Sequence, residues 1–131
     1  MDEVDRFLEL TDPDLVYLLY DTGHFAFCGE DPLVAVKRYI DRIGHVHLKD
    51  VRTEVLERVK KEGLSFLDAV KAGAFTVPGD GSIDFKPIFD VLADNDYRGW
   101  MIVEAEQDPA MANPLEYAKI ARQYIADNTG L

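Results

Sequence analysis

Short apolar segments alternate along the chain with longer segments in which apolar residues recur every three or four positions. The short segments are typical of strands buried on both faces, and the longer pattern is typical of helices with one buried face. We therefore predict strands near residues 15–20, 44–48, 75–77 and 100–104. The same reasoning predicts helices near residues 3–10, 32–42, 53–62, 65–72, 85–94 and 114–127.

Local signals mark several of these boundaries. Asp31 precedes Pro32 and Asn113 precedes Pro114, and each pair joins a helix-capping residue to a proline suited to the first helical turn. Gly63 follows a predicted helix, where a glycine often adopts the left-handed conformation that ends it. These residues indicate helices that begin near positions 32 and 114 and one that ends near 62.

The alternation of strands and helices predicts an α/β fold with a parallel sheet. A closed (β/α)8 TIM barrel typically needs about 250 residues, and this chain has 131. We therefore predict half of such a barrel, with about four parallel strands and flanking helices in a single domain over residues 1–131. A half-barrel exposes sheet edges and an apolar inner face, so we expect a homo-oligomer, for example two half-barrels that face each other.

The composition of the chain restricts the kinds of partner and the cellular compartment that we expect. The chain has 25 acidic and 14 basic residues and a net charge of −11, which repels phosphate backbones and argues against a nucleic-acid partner. No segment approaches the roughly 18 apolar residues of a membrane helix, and the amino terminus is acidic, unlike a signal peptide. Cys28 is the single cysteine, which is typical of a reducing compartment. We expect a cytoplasmic protein without a membrane partner.

Three predicted strands end in side chains that commonly bind metals. Asp21, His47 and Glu104 each follow an apolar segment, and the carboxyl ends of parallel strands meet at one mouth. Two oxygen ligands and one nitrogen ligand suit a borderline to hard divalent ion. Strand alternation places His45 on the same face as His47 and Glu106 on the same face as Glu104, so periodicity alone does not choose within either pair.

Each of these residues also has a purely structural interpretation. Asp21 could cap the turn that follows it, and a histidine near a strand end is more often part of the core than a ligand. His24, three residues after Asp21, could order a substrate or a neighbouring carboxylate. Lys49 and Arg52 are either part of a solvated charged segment or the groups that grip a polar substrate.

Several motifs resemble the carboxyl-terminal half of the xylose isomerase-like TIM-barrel superfamily over about residues 15–124. DTGH at residues 21–24 and HVHLKDVR at 45–52 contain elements shared across that superfamily. Within it, the resemblance is to the inosose dehydratase family, through GLSFLDAV at 63–70, FTVPGDG at 75–81 and GWMIVEAEQDP at 99–109.

The resemblance implies a divalent metal, manganese or cobalt, held by Asp21, His47 and Glu104. A fourth ligand of that superfamily, a glutamate on an earlier strand, has no counterpart here. The resemblance also implies a thiol cofactor, glutathione. The expected reaction is the dehydration of 2-keto-myo-inositol, a small polyhydroxylated ketone, through an enediolate that the metal stabilises.

In that reaction the resemblance implies that Glu104 and His24 are catalytic. Lys49, Arg52 and Glu106 are then expected to bind the substrate. Two alternatives stay open: a sugar isomerase or epimerase of the same superfamily, which needs the same metal, and a catalytically silent half-barrel that acts as an assembly module.

Overall fold

The computed structural model describes residues 1–130. Its strands are β1 Leu18–Asp21, β2 Ile43–Leu48, β3 Asp50–Val51, β4 Phe75–Thr76 and β5 Met101–Val103. Its α-helices are α1 Asp2–Glu9, α2 Thr22–Phe27, α3 Pro32–Tyr39, α4 Thr53–Glu62, α5 Phe66–Lys71, α6 Lys86–Asp94 and α7 Pro114–Thr129. A short 3-10 helix, Ile40–Arg42, follows α3. The elements alternate as the α/β prediction requires.

The main sheet contains three parallel strands in the order β1-β2-β5. Its register pairs Asp21 with His47, and His47 with Ile102. The backbone N–H of Glu104 extends this pairing by donating to the carbonyl oxygen of Leu48 at 3.3 Å. The carboxyl ends of the three strands therefore lie side by side.

The third predicted strand, near residues 75–77, forms but does not join the parallel sheet. Phe75–Thr76 pairs antiparallel with Asp50–Val51 in a separate two-stranded sheet, which corrects the prediction of about four parallel strands. Two physical reasons account for it. Pro78, which lacks an N–H, follows Phe75–Thr76 closely and limits the length of the strand. In addition, β2 pairs with β1 on one edge and with β5 on the other, so it has no edge left for a further strand.

Two further boundaries differ from the sequence predictions. Strand β1 begins at Leu18 rather than near residue 15, because a turn in which the N–H of Val16 donates to the carbonyl of Asp12 occupies the preceding residues. Helix α2 is not among the predicted helices; its amino terminus is capped by the Asp21 side chain, which accepts the N–H of His24. The predicted caps Asp31 and Asn113 do accept N–H groups of their helices.

Within residues 1–130, helices bury one face of the parallel sheet and leave the other partly exposed. Its fully buried side chains Tyr20, Val46 and Leu48 belong to a core cluster with residues of α3 and α6. On the opposite face Leu19 and Ile102 remain 48% and 41% exposed, and Trp100 beside β5 is 75% exposed. In residues 1–130, no helix is long and apolar enough to cross a membrane.

We expect a chain of these 131 residues to self-associate through this uncovered face. Burying Leu19, Trp100 and Ile102 against a second copy would remove apolar surface from water. Light scattering at micromolar concentration should show a dimer or larger species, and Trp100→Ser should shift it toward monomer. Leu67→Ser, at an exposed leucine of α5, is the matched control. A monomeric parent chain would contradict this expectation.

Candidate functional site

The three predicted metal ligands converge at the carboxyl end of the parallel sheet. The Nδ1 atom of His47 lies 3.4 Å from Oδ2 of Asp21 and 3.8 Å from Oε2 of Glu104. The sheet register explains the first contact, because Asp21 and His47 are partners across β1 and β2. Glu104 joins them as the first residue after β5.

Lys49 lies at the centre of this cluster, with its side chain only 1% exposed. Its Nζ atom is 3.4 Å from Oδ2 of Asp21, 2.8 Å from Oε2 of Glu106 and 2.9 Å from Nε2 of His24. It also forms an ion pair with Glu104. One ammonium therefore contacts three carboxylates and an imidazole that come from two segments of the chain, residues 21–24 and 104–106.

Opposing effects act on the pKa of Lys49. Burial favours the neutral amine and is the largest single effect. The hydrogen bonds to Glu104 and Glu106 and the charge of Asp21 act in the other direction, and together they raise the pKa of Lys49 above its usual 10.5. The side chain is therefore a fixed positive charge at neutral pH.

Two small residues of α2 make room for Lys49 and hold its backbone. The hydroxyl of Thr22, which is fully buried, accepts the N–H of Lys49 at 3.0 Å and donates to its carbonyl oxygen at 2.6 Å. A Cβ on Gly23 would lie 2.5 Å from Cγ of Lys49, closer than side-chain atoms approach. Sequence reasoning assigned no role to either residue, although both lie within the DTGH motif.

Aromatic rings line the side of the site that holds His24. The His24 ring lies edge-on to Phe75 with centroids 5.3 Å apart and is stacked 6.0 Å from Phe66. The ammonium of Lys49 lies 5.1 Å from the centroid of Phe75, within range of a cation–π interaction. Phe66 and Phe75 thus hold the imidazole in place, and Phe75 also contacts the ammonium.

The backbone turns sharply where it presents Glu106. Strand β5 has already ended at Val103, so strand alternation does not orient this residue. Glu106 has φ +42°, an uncommon left-handed conformation for a residue with a side chain. Its Oε2 lies 3.5 Å from Nε2 of His24 as well as contacting Lys49. Such local strain often occurs at functional sites.

Arg52 does not join this cluster. Its guanidinium donates to the carbonyl oxygen of Gly73 at 2.8 Å and to the hydroxyl of Thr76 at 3.0 Å, and it pairs with Asp80. Through these contacts Arg52 binds to β4 and to the segments on either side of it. None of these contacts supports the expectation that Arg52 binds substrate. They support a structural role for this residue.

Asp50 also stabilises the turn after β4. Its Oδ1 atom accepts the N–H groups of Val51, Ser82 and Ile83 at 2.8, 3.0 and 2.9 Å. Its Oδ2 atom is buried without a hydrogen-bond partner. Burial raises the pKa of Asp50 even though the backbone donors oppose the shift. The residue anchors the segment after the turn to β3.

The cluster opens into a cavity of about 810 Å³. This volume lies within the usual range for sites that bind small molecules. The polar cluster of Asp21, His24, His47, Lys49, Glu104 and Glu106 lines part of it, and apolar residues such as Val4, Leu18 and Phe25 line another part. His45 does not line the cavity, although its ring lies 5.3 Å from that of His47.

Two overlapping sets of side chains in this cluster could hold a divalent ion. Asp21, His47 and Glu104 bring their ligand atoms within 4.8 Å of one another, and so do His24, Glu104 and Glu106. Carboxylate oxygens combined with imidazole nitrogens suit manganese, cobalt or zinc better than a soft ion. The donor chemistry fits the metal that the sequence motifs imply.

A sequence model of the xylose isomerase-like TIM-barrel family matches residues 1–127, nearly the whole chain. The chain belongs to the xylose isomerase-like TIM-barrel family. This membership accounts for the parallel strands and for a polar site at their carboxyl ends, which is where barrels of this kind carry their chemistry.

Curated relatives within this family are named inosose dehydratases. The chain is 63% identical to the inosose dehydratase of Clostridium tetani over 99% of its own length and 44% of the relative. It is 59% identical to inosose dehydratase 2 of Bacillus cereus strain ZK / E33L over 98% of its length and 43% of that relative. The chain thus spans less than half the length of these relatives.

A solved structure shows the same fold. A sugar phosphate isomerase/epimerase from Parabacteroides distasonis superposes on 96% of this chain and 36% of its own, with a TM-score of 0.68 and 22% sequence identity. At that identity the likeness supports the xylose isomerase-like fold and says nothing about the reaction of this chain.

We expect Gly23→Ala to destabilise the protein, because the new Cβ would overlap the stem of Lys49 near its backbone. The steric cost of overpacking is about 1–3 kcal/mol, larger than the roughly 0.5–1 kcal/mol that alanine gains over glycine in a helix. Urea unfolding would measure the change. In a Gly23→Ala, Lys49→Ala double variant the Cγ and Cδ atoms that come closest are gone and only the Cβ at 2.9 Å remains, so the Gly23→Ala change should cost less there. Equal costs in both backgrounds would contradict the steric explanation.

Proposed function

We propose that this chain forms the carboxyl-terminal part of a metal-dependent inosose dehydratase, which removes water from 2-keto-myo-inositol. One observation carries the proposal: Asp21, His47 and Glu104 converge beside a buried lysine at the mouth of the sheet. The relatives named inosose dehydratase, at about 60% identity, support the choice of reaction.

Asp21, His47 and Glu104 would hold the ion, manganese or cobalt, through two oxygens and one nitrogen. Three protein ligands leave coordination positions open for substrate and for a ligand from outside these 131 residues. When bound, the ion would supply Lewis acidity toward the substrate ketone and the negative charge that develops on it. The protons are moved by side chains of the chain itself.

Dehydration of a β-hydroxyketone requires a base for the proton beside the ketone and an acid for the departing hydroxyl. Glu104 is the base that we propose, since its carboxylate faces the cavity at the end of β5. We propose that His24 orients the substrate oxygen, and that the leaving hydroxyl takes its proton from the hydrogen-bonded pair of His24 and Lys49. The rings of Phe66 and Phe75 hold its imidazole in place for this role.

The remaining polar groups suit a substrate that is rich in hydroxyls. Lys49 offers a hydrogen-bond donor and Glu106 an acceptor, and both line the cavity. Hydroxyl groups both donate and accept, so an alternation of ammonium and carboxylate groups can bind several of them at once. The net charge of −11 disfavours a phosphorylated substrate, because such a substrate would be repelled.

We expect Asp21→Asn and His47→Ala to weaken Mn²⁺ binding by the full-length protein at least about 10-fold each, as removal of a metal ligand should. The loss of free Mn²⁺ signal in electron paramagnetic resonance titrations measures the affinity directly. His45→Ala is the matched control, since His45 neighbours His47 but does not line the cavity. Unchanged Mn²⁺ binding by both site variants would refute the metal assignment, and a protein that binds no Mn²⁺ at all would favour a catalytically silent half-barrel.

A sugar isomerase or epimerase of the same family is the second candidate, because it needs the same metal, which Asp21, His47 and Glu104 could hold. Mass spectrometry of the product that the full-length protein forms from 2-keto-myo-inositol distinguishes the two reactions. Dehydration lowers the product mass by one water, whereas epimerisation leaves the mass unchanged. We expect dehydration, and we expect its rate to be about 10²-fold lower or more in Glu104→Gln because the base is lost.

Assays with and without added glutathione test whether the reaction requires a thiol cofactor.

A further inference from the structure

The ammonium of Lys49 contacts ligand atoms of both candidate metal sets. Its contacts with Asp21 and Glu104 belong to the set that includes His47, and its contacts with Glu106 and His24 belong to the other. The only residue of the two sets that the ammonium does not contact is His47. The cluster therefore already contains a cation that is part of the protein.

A divalent ion on Asp21 and Glu104 would lie very close to this ammonium. Metal–oxygen distances of about 2.0–2.2 Å are usual for carboxylate ligands, and Lys49 already pairs with the same oxygen of Glu104 that faces His47. Two cations that share one carboxylate oxygen in a partly buried site repel each other strongly. The ion and the ammonium therefore cannot both keep the full set of contacts that the structure shows.

The surroundings of Lys49 offer it a second position. Gly23 and Thr22 confine its stem and backbone, and the side chain is only 1% exposed. Glu106 and His24 provide acceptors at 2.8 and 2.9 Å, and they can keep the ammonium after it leaves Asp21 and Glu104. A shift within the cluster is thus sufficient to admit an ion.

We propose that Lys49 is an internal counter-ion that competes with the divalent metal for Asp21 and Glu104 and withdraws toward Glu106 and His24 when the metal binds. The inference rests on the proposed metal site. Its consequence is that Lys49 keeps the carboxylates together when no metal is bound and limits metal affinity. In this role Lys49 is a positioning residue as well as a substrate contact.

The test is the Mn²⁺ affinity of Lys49→Met in the full-length protein, measured by electron paramagnetic resonance without any activity assay. Methionine keeps most of the apolar stem and removes the charge. We expect Mn²⁺ binding at least about 10-fold tighter than in the parent protein, because a competing positive charge is gone. Lys86→Met removes the same charge from an exposed lysine that pairs with Asp90, and it should leave the affinity unchanged.

Thermal unfolding provides a second readout. Without metal, Lys49→Met should melt at a lower temperature than the parent, because three carboxylates then lose their shared cation. Added Mn²⁺ should raise its melting temperature by more than it raises that of the parent. Lys49→Gln, which retains a neutral donor for Glu104 and Glu106, replaces the methionine variant if that variant does not fold.

The outcomes separate this inference from the function on which it rests. If the parent binds Mn²⁺, Asp21→Asn loses it and Lys49→Met binds no more tightly, the metal site stands and the counter-ion role is refuted. If Mn²⁺ binds only after Lys49 is replaced, the competition is supported in its strongest form. If no variant binds Mn²⁺, both proposals fail.

Discussion

The charge balance around one buried lysine is the interaction on which the candidate site depends. Asp21, Glu104 and Glu106 would repel one another at these distances without a cation between them, and an unpaired buried ammonium would be strongly unfavourable. Each charge is therefore tolerated because the others are present. Thr22 and Gly23 on the first turn of α2 provide the hydrogen bonds and the space that this arrangement requires.

The parallel sheet brings these charges together. Pairing of Asp21 with His47 across β1 and β2, followed by pairing of β2 with β5, places two carboxylates and an imidazole at one edge. The same sheet leaves its other face exposed at Leu19, Trp100 and Ile102. Both features are expected of a segment of a xylose isomerase-like barrel that spans less than half the length of its relatives.

Fold and function rest on different observations here. Barrels of one architecture host many reactions, so the match to a solved sugar phosphate isomerase/epimerase supports only the fold. The proposed dehydration depends instead on the groups that face the cavity: a carboxylate base at the end of β5, an imidazole fixed between aromatic rings, and a fixed positive charge. These are features of the site, and they can be changed one at a time.

The sequence by itself determined the alternation of elements, the helix caps at Asp31 and Asn113, and the placement of Asp21, His47 and Glu104 at strand ends. Such signals are local, since they depend on periodicity and on neighbouring residues. Only the tertiary structure decided that β4 pairs antiparallel with β3, that Arg52 serves a turn, and that Lys49 lies among the carboxylates. Those outcomes depend on which segments meet in space, because charge pairing and backbone hydrogen bonds between distant segments leave no local pattern.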